Sequence, residues 1–70
     1  MEGTPEYEWK EYGIKVFDNW EEKKYSFMKD GKEIATIHYD SIEEETRVQP
    51  ERCRSVVVEE MIFNKVEDLT

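Results

Sequence analysis

The chain has few of the residues that build disulfide scaffolds, membrane spans or secretory leaders. Its 70 residues include one cysteine, three glycines and two prolines. A single cysteine cannot form an intramolecular disulfide, which is typical of a reducing compartment. No apolar run approaches the ~18 residues that cross a membrane, and the acidic start lacks the apolar segment of a signal peptide. We therefore expect a cytoplasmic protein that does not bind a membrane.

Catalytic and cofactor motifs are also lacking. Zinc sites need several converging ligands, whereas the chain has only Cys53 and His38. The acidic run 43–45 lacks the glycine-punctuated loop of a calcium site. A nucleophile needs a neighbouring base, and we interpret Cys53 as a packing residue near the core edge and His38 as a surface residue. The sequence predicts no enzyme activity, cofactor or metal ion.

Basic residues are the third deficit. The chain has 10 Lys or Arg against 18 Asp or Glu, which gives a net charge of −8. Residues 1–22, 33–46 and 55–70 are acidic, with net charges of −5, −5 and −3, while 23–32 and 47–54 carry +3 and +2. Such a surface repels nucleic acid and anionic membranes but suits a basic protein surface. We expect no direct binding to nucleic acid.

The first part of the chain predicts a three-stranded antiparallel β-meander. Apolar and polar residues alternate over 11–18, 23–29 and 32–40, which is the pattern of half-buried strands. Three strands are the minimum for a stable sheet with one covered face. We expect residues 1–70 to form a single domain, with a loose N-terminal arm over 1–8.

The dipeptide Asp30-Gly31 predicts a type I′ hairpin turn, because both central residues of that turn need a positive φ. A two-residue turn also fixes the pairing of the flanking strands. It predicts the pairs Phe27/Ile34 and Tyr25/Thr36 on the core face. The other face is predicted to hold the pairs Met28/Glu33, Ser26/Ala35 and Lys24/Ile37.

The last third of the chain predicts a helix after Pro50, since proline is favourable in a first helical turn. Apolar residues recur at helical spacing between Glu51 and Leu69, namely at Val58, Met61, Ile62, Val66 and Leu69. The sequence thus favours an α+β fold in which this helix packs on one face of the meander. The β-branched run 56–58 keeps open an all-β alternative, with 54–64 as a further strand. Residues 40–46 are predicted to be a loop, or one helical turn begun by Ser41.

The order of a strand, an Asp-Gly hairpin, the segment 48–51 and a predicted helix resembles acetyl-CoA-dependent N-acetyltransferases over about thirty residues. That family holds pyrophosphate with a glycine-rich turn that opens the helix. The matching stretch here, 52–56, contains no glycine. The chain therefore departs from the family at its coenzyme-binding turn, and no coenzyme site follows from the resemblance.

The three separate acidic segments predict a small binding protein whose carboxylates imitate the spacing of nucleic-acid phosphates. Such a module would occupy a basic surface of a nucleic-acid-binding protein or enzyme and inhibit it, with salt-sensitive association. Phages make tiny acidic inhibitors of this kind, and the analogy is one of composition and size. Tryptophan is frequent at binding hot spots. The candidate contact residues are Glu43, Glu44, Glu45, Glu59, Glu60 and Trp20.

The alternative hypothesis is a structural or regulatory subunit that associates with a second copy of itself. One helix cannot cover both faces of the predicted hairpin. The second face would leave apolar side chains for a homodimer interface, and these are Met28, Ala35, Ile37 and Tyr39.

Overall fold

A computed structural model describes residues 3–70 and has an α+β fold with one antiparallel sheet and two helices. The chain divides into two compact units, a sheet unit that ends at His38 and a helical unit that begins at Tyr39. The sheet has the strand order β1-β2-β3-β4. Its strands are β1 (Tyr7–Trp9), β2 (Ile14–Asn19), β3 (Lys24–Lys29) and β4 (Lys32–His38), and the helices are α1 (Tyr39–Val48) and α2 (Arg54–Leu69).

The predicted meander lacks one strand that the structure contains. β1 pairs with β2 through the partners Tyr7↔Val16 and Trp9↔Ile14. The rings of Tyr7 and Trp9 stack with their centroids 6.2 Å apart. Tyr7 and Glu8, which the sequence assigned to the loose arm over 1–8, therefore belong to the sheet. Met1 and Glu2 of that arm lie outside the described residues.

The β3–β4 turn has the predicted backbone conformation, whereas the predicted register holds only beside it. Asp30 and Gly31 have φ values of 53° and 76°, as a type I′ turn requires. The pair Met28↔Glu33 is confirmed. The register then shifts, so that Phe27 lies opposite Ala35 rather than Ile34. The predicted pairing of Phe27 with Ile34 is therefore wrong.

A β-bulge at Ile34 explains this shift, because one extra residue moves every later side chain of β4 to the opposite face. Tyr25 now pairs with Ile37 instead of Thr36. Ile37 joins Phe27 on the buried face of the sheet. The bulge replaces Ile34 and Thr36 on this face by Ala35 and Ile37, so the polar threonine leaves the face and Ile34 is 39 % exposed. Ile14 and Val16 of β2 complete the buried set.

The largest departure from the predicted fold is α1, which forms where a loop or single turn was expected. Tyr39, Ile42 and Thr46 follow one another at helical spacing, and Ile42 is fully buried. The hydroxyl of Thr46 donates a 2.7 Å hydrogen bond to the carbonyl of Ile42. Three of the other seven positions are glutamate, a good helix former, and Ile42 is the buried residue that anchors the helix.

The helix in the last third of the chain is confirmed, and the all-β alternative over 54–64 is wrong. Val58, Ile62 and Val66 of the predicted stripe are buried, and Met61 and Leu69 are half-buried. α2 forms although its first turn has no acidic residue and its last turn no basic one, an arrangement that opposes the helix dipole. Burial of the apolar stripe outweighs that cost. The packing of this helix on the sheet stays a prediction.

Candidate functional site

Trp20 lies in the turn between β2 and β3 and is 69 % exposed. The side-chain oxygen of Asn19 accepts a 3.2 Å hydrogen bond from the backbone N–H of Glu22. The side-chain amide of Asn19 donates to the Glu22 carboxylate at 3.4 Å. Lys23 completes the turn with a φ of 57°. Asn19 therefore fixes the turn, and Trp20 is presented to solvent on an ordered backbone.

Lys24 compensates two carboxylates beside this turn. Its Nζ lies 3.2 Å from Glu33 Oε2 and 3.7 Å from Glu22 Oε1. The hydrogen bond to Glu33 raises the pKa of Lys24, and the charge of Glu22 acts in the same direction. Glu21 is exposed, and within residues 3–70 it forms no ion pair. The carboxylate next to Trp20 in the chain is therefore uncompensated.

Glu43, the first of the predicted contact residues, forms an ion pair within the helical unit. Its Oε2 accepts a 3.0 Å hydrogen bond from Nε of Arg54. The Arg54 guanidinium carbon also lies 5.8 Å from the ring centroid of Tyr39, which is within the range of a cation–π contact. Tyr39 and Glu43 are four residues apart on α1, so both face Arg54 at the start of α2.

Glu45 and Glu60 lie at the two ends of a second hydrogen-bonded chain in this unit. The side-chain amide of Gln49 donates to Glu45, and its oxygen accepts a 2.8 Å bond from Arg52. Arg52 also forms an ion pair with Glu60 of α2. This hydrogen-bonded pair lowers the pKa of Glu60 and raises that of Arg52. These contacts link α1 to α2, and the carboxylates of Glu45 and Glu60 both take part in them.

Glu44 and Glu59 differ from the other three predicted acids. Both side chains are exposed, and neither takes part in an ion pair within the part of the chain that the structure describes. The five predicted glutamates therefore separate by role. Glu43, Glu45 and Glu60 bind neighbours in the helical unit, while Glu44 and Glu59 keep uncompensated charge at the surface.

Cys53 does not pack at the core edge as the sequence suggested. It is exposed and occupies the N-cap of α2 with an extended backbone. Its sulfur lies 3.5 Å from the hydroxyl oxygen of Ser55. This hydrogen bond, together with one to the backbone N–H of Val56, lowers the pKa of the thiol. His38 is exposed at the end of β4, as expected for a surface residue. Among residues 3–70, no three His, Cys, Asp or Glu side chains converge on a potential metal site.

An open groove of about 440 Å³ lies on the sheet unit. Phe17 and Met28 supply its apolar lining, and Lys15 and Asp30 give it one charge of each sign. Two turn glycines, Gly13 and Gly31, complete it. The residues that line the groove include no pair of a nucleophilic side chain and a base.

The second hairpin face that motivated self-association is not a single surface. The bulge places Ala35 and Ile37 on the same face as Phe27, and Ile37 is buried there. Met28 pairs with Glu33 and lies on the opposite face. Tyr39 belongs to α1 rather than to β4. The apolar interface expected for a homodimer is therefore divided among different surfaces.

Two exposed apolar residues of α2 were not predicted as contacts. Val56 and Phe63 lie one heptad apart and are 39 % and 46 % exposed. The sequence indicated this position for Phe63, because it falls outside the inward stripe. Val56 could not be identified in the same way, since it begins a run of three valines of which Val57 and Val58 are buried.

Two general results complete the description of the site. No helix within residues 3–70 combines the length and the apolar character that a membrane crossing requires. Comparison of the chain with protein-family models, with curated proteins and with solved structures finds no match.

Proposed function

We propose that this chain is a small acidic, non-enzymatic protein-binding module that acts by occupying a basic surface of another protein. The favoured partner is a nucleic-acid-binding protein or enzyme, which the module would inhibit by filling the position of the phosphate backbone. The observation that carries this proposal is the exposure of Trp20 on an ordered turn with uncompensated negative charge beside it. The proposed compartment is the cytoplasm.

Trp20 supports the proposal because its exposed ring offers a large surface that a partner can bury. Large aromatic side chains dominate the energetics of many interfaces, and tryptophan is enriched among the residues that matter most. The hydrogen bonds of Asn19 keep the turn in one conformation before binding. A partner would therefore lose little conformational entropy from this loop on association.

The charge distribution supports a basic partner. Glu21, Glu44 and Glu59 are exposed and have no ion pair within residues 3–70. The net charge of −8 acts beyond these contacts by attracting cationic surfaces during diffusion. Association of this type is fast at low salt and weakens as salt screens the charges.

The proposal is tested by immobilising the full chain and passing over it a protein fraction previously eluted from double-stranded DNA. We expect captured proteins to elute as NaCl rises from about 50 mM to about 500 mM. Added duplex DNA should compete with the chain for these proteins. Trp20→Ala should weaken capture about tenfold or more.

Ile34→Ala is the control for Trp20→Ala, because Ile34 is an exposed apolar residue of the same sheet unit, at 39 %, and is not a candidate contact. It should leave capture unchanged. Retention that is equal at low and high salt would contradict the electrostatic mechanism. Capture that duplex DNA does not affect would contradict the occupation of a nucleic-acid-binding surface.

A further inference from the structure

The outward side of α2 carries an apolar pair surrounded by carboxylates. Val56 and Phe63 are seven residues apart, so they lie on the same side of the helix about 10 Å from each other. Phe63 is turned by about 100° from Ile62 around the helix axis, so this side flanks the buried stripe that contains Ile62 and Val58. Val56 and Phe63 are 39 % and 46 % exposed. We call Val56, Glu59, Glu60, Phe63 and Glu67 the α2 outer face.

Phe63 is the centre of this face because glutamates are its neighbours on both sides along the helix. Glu59 precedes it by four residues, Glu60 by three, and Glu67 follows it by four. Side chains at these spacings are adjacent on a helix surface. All three glutamates are exposed. Glu60 forms an ion pair with Arg52, whereas Glu59 and Glu67 form none within residues 3–70 and supply the uncompensated charge around the ring.

We infer that the α2 outer face binds a basic amphipathic helix of the partner protein, with an apolar row seated on Val56 and Phe63 and lysine or arginine side chains against Glu59 and Glu67. This inference rests on the proposed function and names the element that the partner supplies. Anchors at helical spacing are the usual code of helix-to-helix recognition. Charged residues on both sides of an apolar seam set partner choice and orientation.

The composition of the face favours this occupant over others. A second copy of the same face would bring Glu59 and Glu67 against their own equivalents, and like charges placed together are unfavourable. A small molecule needs a concave site that buries most of its surface, whereas the side of a single helix is convex. The exposed Phe63 ring adds an apolar contact to the carboxylates, and a partner helix with an apolar row can fill it, whereas a surface of basic side chains alone cannot.

The experiment uses the full chain, labelled with ¹⁵N, and a synthetic amphipathic peptide of about 18 leucine and lysine residues that forms a basic helix. A peptide of the same composition with a scrambled order removes the apolar row but keeps the charge. Dissociation constants and backbone amide shifts are measured by NMR at about 50 mM and about 300 mM NaCl. We expect the ordered peptide to shift the amides of the α2 outer face and to bind about tenfold more tightly than the scrambled one.

Matched variants test the apolar and the acidic residues of the α2 outer face separately. Phe63→Ala should weaken binding of the ordered peptide about tenfold, while Ile34→Ala, which truncates a side chain that is 39 % exposed on β4, should not. Glu67→Lys should weaken binding, and Glu8→Lys on β1 makes the same charge change in the sheet unit and is the control. Circular dichroism of each variant confirms that the helices are retained.

The possible failures are distinguishable. Equal affinity for ordered and scrambled peptides, or shifts confined to residues 19–23, would overturn the assignment of the α2 outer face and leave the acidic binding module standing. Binding that Phe63→Ala does not change would also overturn the assignment. Absence of binding to both peptides and to polylysine at low salt would overturn the assignment and the proposed function together.

Discussion

Nε of Arg54 lies 3.0 Å from Oε2 of Glu43, and this contact joins the first turn of α2 to α1. The guanidinium also contacts the ring of Tyr39, one turn earlier on α1. An arginine at a helix N-terminus is unfavourable next to the positive end of the helix dipole. Its contacts with a carboxylate and an aromatic ring offset this cost, which is roughly 0.3–1 kcal/mol.

The first prediction concerns this pair. Both side chains are about half exposed, at 47 % and 53 %, and exposed ion pairs contribute roughly 0.2–1 kcal/mol. A double-mutant cycle with Arg54→Gln and Glu43→Gln, measured by urea unfolding, should give a coupling free energy in that range. Replacing Glu44, one residue along the same helix, by Gln should give no coupling with Arg54→Gln. Coupling of equal size for both glutamates would contradict a specific contact.

The hairpin turn could be predicted from the sequence because it depends on two residues. Asp30-Gly31 requires positive φ values, and the structure has them. The register beyond the turn could not be predicted in the same way. The bulge at Ile34 places Ala35 and Ile37 on the buried face instead of Ile34 and Thr36, and the choice between these two sets depends on packing across the whole sheet. α1 was missed for a related reason, since a single buried residue, Ile42, distinguishes its sequence from a polar loop.

The sequence predicts the types of residue in the candidate site but not which of its carboxylates form ion pairs. Composition indicated the excess of carboxylates, and Trp20 proves to be exposed. The sequence could not distinguish Glu59 from Glu60, although Glu60 binds Arg52 and Glu59 has no ion pair within residues 3–70. The distinction arises from tertiary contacts in the helical unit, where the arginines near Pro50 reach two of the five predicted acids.

The second prediction follows from the Arg52–Glu60 pair. Arg52 lowers the pKa of Glu60 below its ordinary value of 4.5. A carboxyl group with a lowered folded-state pKa stabilises the protein above its unfolded pKa, and this stabilisation disappears as the pH falls through the folded value. The difference in free energy of unfolding between the native chain and Glu60→Gln should therefore be present at about pH 7 and vanish by about pH 2.

Glu59→Gln is the control for this experiment, because it removes the same charge from the adjacent residue. It reports how the net negative charge alone affects stability at each pH. Subtracting its effect leaves the part that belongs to the Arg52–Glu60 pair. A Glu60→Gln effect that remains equally large in acid after this subtraction would contradict the pairing.

The third prediction concerns Ser26 of β3. Its side chain is 0 % exposed, and its hydroxyl oxygen has no hydrogen-bond partner among the described residues. A buried polar group without a partner costs about 1–3 kcal/mol. Ser26→Ala should therefore leave the free energy of unfolding unchanged or raise it by about 1 kcal/mol. Thr46→Val removes a hydroxyl that does donate a hydrogen bond, and it should lower stability instead. A large loss in Ser26→Ala would reveal a hidden partner.

The fourth prediction concerns the residues with a positive φ in the two hairpin turns, where removing a glycine should lower stability and adding one should raise it. Gly31 has a φ of 76° and Lys23 a φ of 57°, a region that glycine occupies readily and other residues at a cost of roughly 1 kcal/mol. Gly31→Ala should lower the free energy of unfolding by about that amount. Lys23→Gly should raise the free energy of unfolding, although the greater conformational entropy of glycine in the unfolded chain offsets part of this gain. Thermal unfolding of both variants measures the contrast, and shifts in the same direction would count against it.

The fifth prediction concerns the thiol at the N-cap of α2. The hydrogen bond from Ser55 is the main cause that lowers the pKa of Cys53 below its ordinary value of 9.0. The thiolate is the reactive form of cysteine, so the rate of alkylation by iodoacetamide should reach its midpoint below that pH. Ser55→Ala should move the midpoint upward, because the thiolate loses its hydrogen-bond donor. Cys53 is the only cysteine of the chain, so the reaction reports this site alone. Ser41→Ala is the control, and an unchanged midpoint in Ser55→Ala would show that the helix terminus rather than Ser55 stabilises the thiolate.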